Sequence, residues 1–167
     1  MNPSKTRLQE QLSALKLVSV QQHYADLATE AAQKQWTHVD YLARLVELEA
    51  MRRQELTVQR RIAAARFPCV KTLDQFDWNW PKKINRTQIQ NLFRLAFLEN
   101  HANVIFMGGV GLGKTHLAVA LGYAACQQQH PVLYVTAVEV VSHATRLSHT
   151  GTIRRLAVLA LLALTTI

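Results

Sequence analysis

Four of the chain's six glycines fall within the eight residues Gly108-Gly109-Val110-Gly111-Leu112-Gly113-Lys114-Thr115. They satisfy the pattern of Gly, four residues, then Gly-Lys-Thr, the phosphate-binding loop or Walker A motif. Glycine tolerates positive φ and lets backbone approach closely, so successive N–H groups can converge on a phosphate chain without intervening side chains. In this reading the cradle runs over Gly108, Gly109, Val110, Gly111, Leu112 and Gly113, and Lys114 reaches the β- and γ-phosphates. Thr115 offers its hydroxyl to Mg²⁺, and the positive end of the following helix adds its dipole. His116 stands beside the same site, open either to the nucleotide or to packing at the helix start.

The motif is informative only between a strand and a helix, and the flanking sequence predicts that setting. Asn103-Val104-Ile105-Phe106-Met107 is a short apolar run bounded by glycines, with the profile of a buried parallel strand. A helix is expected from Lys114 to about Gln128, then a second strand at Pro131-Val132-Leu133-Tyr134-Val135-Thr136, then a short helix from Ala137 to about Arg146. Strand, helix, strand makes a right-handed parallel unit. The tail from Leu156 to Leu164 is continuously apolar and suits either a further strand or a helix.

Upstream, the pattern is helical. Leu8, Leu12 and Leu15, then Val20, Tyr24, Leu27 and Ala31, recur at spacings of three and four, predicting two helices between Ser4 and about Lys34. Thr37 followed by Asp40 resembles a capping box and opens a third helix that runs to about Arg66, before Pro68. Phe67 to Trp80 reads as an ordered connector, with Trp78 and Trp80 assigned to packing rather than base stacking. A further helix is expected from about Thr87 to Glu99. The predicted fold class is therefore α/β: a helical N-terminal domain followed by an incomplete P-loop NTPase parallel-sheet core. The expected divisions are 1–66 for the helical domain, 67–100 for connector and helix, and 101–167 for the partial nucleotide domain, with 142–167 atypical.

Nineteen Lys and Arg against eleven Asp and Glu give a net charge of +8, which favours a polyanionic partner. Between Arg52 and Arg94 ten basic residues face three acids. Arg52, Arg53, Arg60, Arg61 and Arg66 either track DNA phosphates without sequence preference or form a solvated helix face, and the residues alone leave this open. The seven histidines show no zinc spacing. Cys69 and Cys126 are assigned structural roles, and they suit a reducing cytoplasm. No apolar run reaches the roughly 20 residues of a membrane span, so a membrane role is not expected.

A P-loop hydrolase also needs an acid at the end of another strand to hold Mg²⁺ and a group to orient water. Glu139 is the last acid in the chain. It is read as a solvated helix residue rather than a metal ligand, so no catalytic residue is assigned.

Taken together, several stretches resemble the IstB-like ATP-binding proteins of insertion sequences, relatives of the DnaC type of helicase loader. They include Arg52-Arg53, Arg60-Arg61, Ala63-Ala64-Ala65-Arg66-Phe67-Pro68, Lys71-Thr72-Leu73, Phe76-Asp77-Trp78, Gly113-Lys114-Thr115-His116-Leu117-Ala118 and Gly122-Tyr123-Ala124. The similarity covers roughly residues 5 to 141. It implies an AAA+-type ATPase with ATP and Mg²⁺ as cofactors, which assembles on DNA as an oligomer and assists a transposase. In a loader-like relative the partner is a replicative helicase, and the process is DNA replication. The resemblance also implies about a hundred further residues carrying the Mg²⁺-binding acid pair, sensor residues and an arginine finger. None has a matching position here, so the expectation is a truncated or frameshifted chain impaired in hydrolysis. The alternatives are a helicase loader, a non-functional fragment, or a small-molecule P-loop kinase, against which the basic helical region argues.

Overall fold

The computed structural model describes residues 3–80, 84–136 and 138–139. The chain divides into two compact units, Met1–Thr57 and Val58–Ile167.

The first unit is built from α1 (Pro3–Ala14), α2 (Val18–Gln33) and most of α3 (His38–Ala64). The helical periodicity of its sequence is thus realised, with Leu12 and Leu45 as buried apolar positions. Thr37 starts α3 as its spacing predicts. Its Oγ1 accepts from the Asp40 N–H at 3.1 Å and donates to Asp40 Oδ2 at 2.6 Å, while Asp40 Oδ2 accepts from the Thr37 N–H at 3.3 Å. Tyr41 closes a further link, its hydroxyl donating to the Tyr24 carbonyl at 2.8 Å.

The second unit takes in the last turns of α3, the connector, α4 (Arg86–Leu92), α5 (Ala96–Glu99) and α6 (Lys114–Gln127). One core cluster gathers Ala65, Leu95, Leu121, Ala125, Cys126 and Val132, with Phe67, Val104 and Phe106 packed against it. A second joins Phe76, Ile89 and Leu117 to Leu73, Trp78, Ile84 and Leu92. α6 lies at the centre, with Leu117 through Gly122 all buried.

Three expectations are corrected. The helix predicted over 87–99 is two short ones, because Leu95 adopts a left-handed φ of 61° while its side chain enters the core at 3% exposure. The third helix ends at Ala64 rather than Arg66, which itself turns left-handed at φ 57°.

The larger correction concerns the parallel-sheet core. Among the described residues the structure is helical, and no strand or sheet is formed. Segment 103–107 alternates as an extended chain should: Val104 and Phe106 pack on the core, while Ile105 and Met107 are 67% and 83% exposed. Local preference sets that conformation, but a strand exists only where a neighbour supplies the ladder bonds. Here the described backbone bond in 131–136 runs from the Tyr134 N–H to the Ala65 carbonyl at 2.8 Å, back to the end of α3. An α/β assignment from apolar runs therefore counted extended segments as paired strands. The predicted helix after Ala137 is represented only by Val138 and Glu139, and the apolar run Leu156 to Leu164 lies outside the described residues.

Candidate functional site

The glycine cluster forms the turn that enters α6. Gly111 and Gly113 have φ of 77° and 78°, in the left-handed region where side chains are strained. Gly113 is the N-cap of α6. Its carbonyl accepts the Leu117 N–H at 2.9 Å, and no side chain caps the helix. The first-turn N–H groups of a helix have no intrahelical partner, and a cap normally absorbs one of them. At α6 they remain directed out of a turn whose first three residues, Lys114, Thr115 and His116, include no acid.

Lys114 is the first residue of this helix and is only 9% exposed. Its Nζ folds back to donate to the Gly109 carbonyl at 2.6 Å. An ammonium carries three donors. Among the described residues this one hydrogen bond is what offsets its burial, a costly state for a cation. Lys114 and Leu112 also line a cleft of about 500 Å³ together with Asn85, Gln88 and Met107. Thr115 is exposed, as are Gly108, Gly109, Val110 and Gly111. Residues Gly108 to His116 form one continuous stretch that runs through this turn into the first turn of α6.

Of the two roles open to His116, the structure shows contacts of the packing kind. Its Nε2 lies 2.9 Å from the Thr72 carbonyl, and because a carbonyl only accepts, Nε2 is the protonated nitrogen. Its ring also stands edge-on to Phe76, at 5.4 Å between centroids and 77° between planes. Phe76 in turn meets Trp78 at 5.0 Å and 73°, and Arg86 lies over the Trp78 ring at 4.8 Å. Trp78 is therefore a packing residue, as its Pro-bounded setting suggests, whereas Trp80 is 57% exposed.

Phe76 and Thr72 are not among the residues that the motif assigns to the site. Phe76 stands so close to Gly113 that a Cβ there would meet its ring at 2.6 Å. The aromatic run Phe76-Asp77-Trp78 marks an ordered connector, but nothing in it tells which distant backbone it covers.

Arg52 and Arg53 belong to the first unit and share Glu49, whose Oε1 lies 3.8 Å from Arg52 Nη1 and accepts from Arg53 Nε at 3.0 Å. Burial alone would push the Glu49 carboxyl up. The Arg53 hydrogen bond, the Ser19 N–H and the charges of Arg53 and Arg52 together hold it below the usual value. Arg60, Arg61 and Arg66 belong to the second unit. Arg60 and Arg66 are exposed, while Arg61 is half-buried and its Nη1 has no hydrogen-bond partner among the described residues. Glu139 makes a second capping box, its carboxylate accepting from the Thr136 N–H at 2.7 Å and hydroxyl at 2.8 Å. No described helix is long and apolar enough to cross a membrane.

Comparison with known proteins places these features in a family. The IstB-like ATP binding protein pattern matches residues 10–167. An ATP-binding protein, so named, of insertion sequence IS21 from Pseudomonas aeruginosa is 39% identical over 124 residues, covering 74% of this chain and 47% of its own length. A counterpart from insertion sequence IS5376 of Geobacillus stearothermophilus is 28% identical across 90% of this chain and 60% of its own. Another, from IS232 of Bacillus thuringiensis subsp. berliner, is 30% identical across 87% and 58%. The chain thus spans about half to three fifths of the length of these relatives. With its glycine turn, buried lysine and this shared sequence, the chain belongs to the family of IstB-like ATP-binding proteins.

Proposed function

We propose that this chain is an ATP-binding, DNA-associated accessory protein of an insertion sequence, acting with a transposase. The observation that carries the reading is the start of α6: a helix N-terminus with no side-chain cap, entered through left-handed Gly113, beside a buried Lys114 whose acceptor among the described residues is a loop carbonyl. A phosphate chain supplies what this arrangement lacks, namely acceptors for the helix N–H groups and counter-charge for the ammonium. The names of the relatives point to the same ligand.

In the bound state Lys114 leaves the Gly109 carbonyl, or shares it, to reach the β- and γ-phosphates. The loop amides from Gly109 to Gly113 face the same oxygens, and the exposed Thr115 hydroxyl serves Mg²⁺. Bound Mg²⁺ neutralises phosphate charge. Each unit offers its own sequence-tolerant contacts to DNA phosphates: the outward parts of Arg52 and Arg53 in the first, and exposed Arg60 and Arg66 in the second.

Equilibrium dialysis with labelled ATP and Mg²⁺ tests the core of the proposal. Saturable binding by the wild type and its loss in Lys114→Ala are expected; equal retention by both would refute the site. DNA association is expected to weaken steeply with salt and to fall in Arg60→Ala and Arg66→Ala. Fluorescence anisotropy on duplexes of unrelated sequence measures it, and salt-independent binding would contradict the arginine assignment.

A further inference from the structure

We propose that Phe76 is a positioning residue of the nucleotide site, bracing the phosphate loop from the connector so that its amides are fixed before ligand arrives. The proposal rests on the ATP-binding reading of the same loop.

The connector from Thr72 to Phe76 touches the start of α6 at two residues. The Phe76 ring occupies the space where a side chain at position 113 would stand, with Cε2 2.6 Å and Cζ 3.3 Å from an ideal Cβ. His116 is held by its Nε2–H bond to the Thr72 carbonyl and by edge-on contact with the same ring. Gly113 and His116 bracket Lys114 and Thr115, the two residues assigned to phosphate and Mg²⁺. The ring is itself immobilised, 6% exposed and packed with Ile89, Leu117 and Trp78.

Such a contact differs from ordinary core packing in what it rests on. Phe76 covers the backbone of a left-handed glycine, the residue type with the most conformational freedom to lose. Without the ring, Gly113 samples more of its φ range, and the entropy of fixing the loop is then charged to nucleotide binding. The edge of the ring, at Cε2 and Cζ, is what fills this slot. His116 acts in the same brace through its hydrogen bond, so its part is to orient the first turn rather than to touch nucleotide.

The test uses the full chain. Phe76→Leu keeps an apolar side chain but removes the ring edge, and Leu98→Ala, in the other core cluster, controls for general destabilisation. ATP affinity by equilibrium dialysis, unfolding midpoint without nucleotide, and hydrogen exchange of amides 108–116 are measured for each. Phe76→Leu is expected to weaken ATP binding about tenfold and speed exchange in the loop, while Leu98→Ala lowers the midpoint without either effect. His116→Ala should weaken binding similarly, and His116→Gln, whose amide can still donate to Thr72, should restore most of it. Wild-type affinity in Phe76→Leu, or a loss that merely follows the midpoint as in Leu98→Ala, overturns the brace. If the wild type binds no ATP, the proposed function fails, and unchanged loop exchange in Phe76→Leu then overturns the brace as well.

Discussion

Glu49 of α3 accepts a hydrogen bond from the backbone N–H of Ser19, in the first turn of α2, at 2.9 Å. Both residues are buried, at 5% and 7% exposure, so the carboxylate satisfies one of the helix-start donors that no cap covers. Arg53 and Arg52 lie on its other side and keep it charged. Removing the acceptor leaves a buried N–H unpaired, so Glu49→Ala should destabilise the first unit by about 1–3 kcal/mol. The half-exposed Arg53 pair adds at most about 1 kcal/mol. Chemical denaturation followed by circular dichroism measures the loss, and an unchanged midpoint would contradict the role.

The same carboxylate makes a pH prediction. Despite the upward push of burial, its hydrogen bonds from Arg53 and Ser19 and the nearby arginine charges hold the folded value below the usual 4.5. A depressed carboxyl contributes stability that is present above its unfolded value and lost as pH falls through the folded one. The advantage of wild type over Glu49→Gln should therefore be constant from neutral pH down to about 4.5 and shrink with further acidification. A gap that persists undiminished well into the acid range would show that the charge is not responsible.

Gly111 and Gly113 provide a matched pair of backbone positions. Both have φ near 78°, but a Cβ at Gly111 meets nothing within 4 Å whereas one at Gly113 meets the Phe76 ring at 2.6 Å. Gly111→Ala should cost only the left-handed strain, about 1–2 kcal/mol. Gly113→Ala should cost that and a further amount of about 1–3 kcal/mol for displacing a packed ring. Thermal unfolding of the two variants separates the contributions, and equal losses would mean that the ring yields freely.

How far the sequence discloses this molecule depends on whether a signal is local. The three N-terminal helices are legible from spacing, and Thr37 with Asp40 marks the start of α3 because a capping box is contained within four residues. The glycine turn that enters α6 is legible for the same reason. Leu95 is not: only its burial in a core formed by distant residues favours a left-handed break inside an apolar helical pattern. Val104 to Met107 has the composition of a strand, but ladder partners are a property of the whole fold. Arg52 and Arg53 illustrate the intermediate case. Glu49 stands three and four residues before them, the spacing of helix ion pairs, yet counting charges across the segment conceals it.

Helix ends show a further departure from local rules. Lys16, Gln35, His101 and Gln129 are left-handed residues that follow α1, α2, α5 and α6. The next N–H in each case reaches back into the helix: Leu17 to Leu12, Trp36 to Ala31, Ala102 to Phe97 and His130 to Ala125, all at 2.9 Å. These are Schellman closures, in which glycine is the usual left-handed residue. Replacing an exposed member by glycine removes side-chain strain at the expense of a more flexible unfolded chain. Gln129→Gly should therefore stabilise by a net of about 0.5–1 kcal/mol. A small rise in the thermal midpoint is the expected reading, and a fall would show that the glutamine side chain contributes more than its backbone costs.

The two cysteines should differ sharply in chemistry, as their places in the sequence suggest, one after Pro68 in the connector and the other within the helix that follows the glycine loop. Cys69 is exposed in the connector, while Cys126 is fully buried in the cluster around Leu121 and Val132. Burial pushes the Cys126 thiol above its usual value, and the charge of Arg61 offsets this only in part. Because the thiolate is the reactive form, burial suppresses both access and the thiolate population. Native protein at neutral pH should release about one equivalent of thionitrobenzoate rapidly from a disulfide reagent, and the second only on unfolding. The unfolded fraction then sets the rate of the slow phase, so Leu98→Ala, which loosens the same cluster, should accelerate it while leaving the fast phase unchanged. Equal reactivity of both thiols in folded protein would show that the helix α6 core is not packed as described.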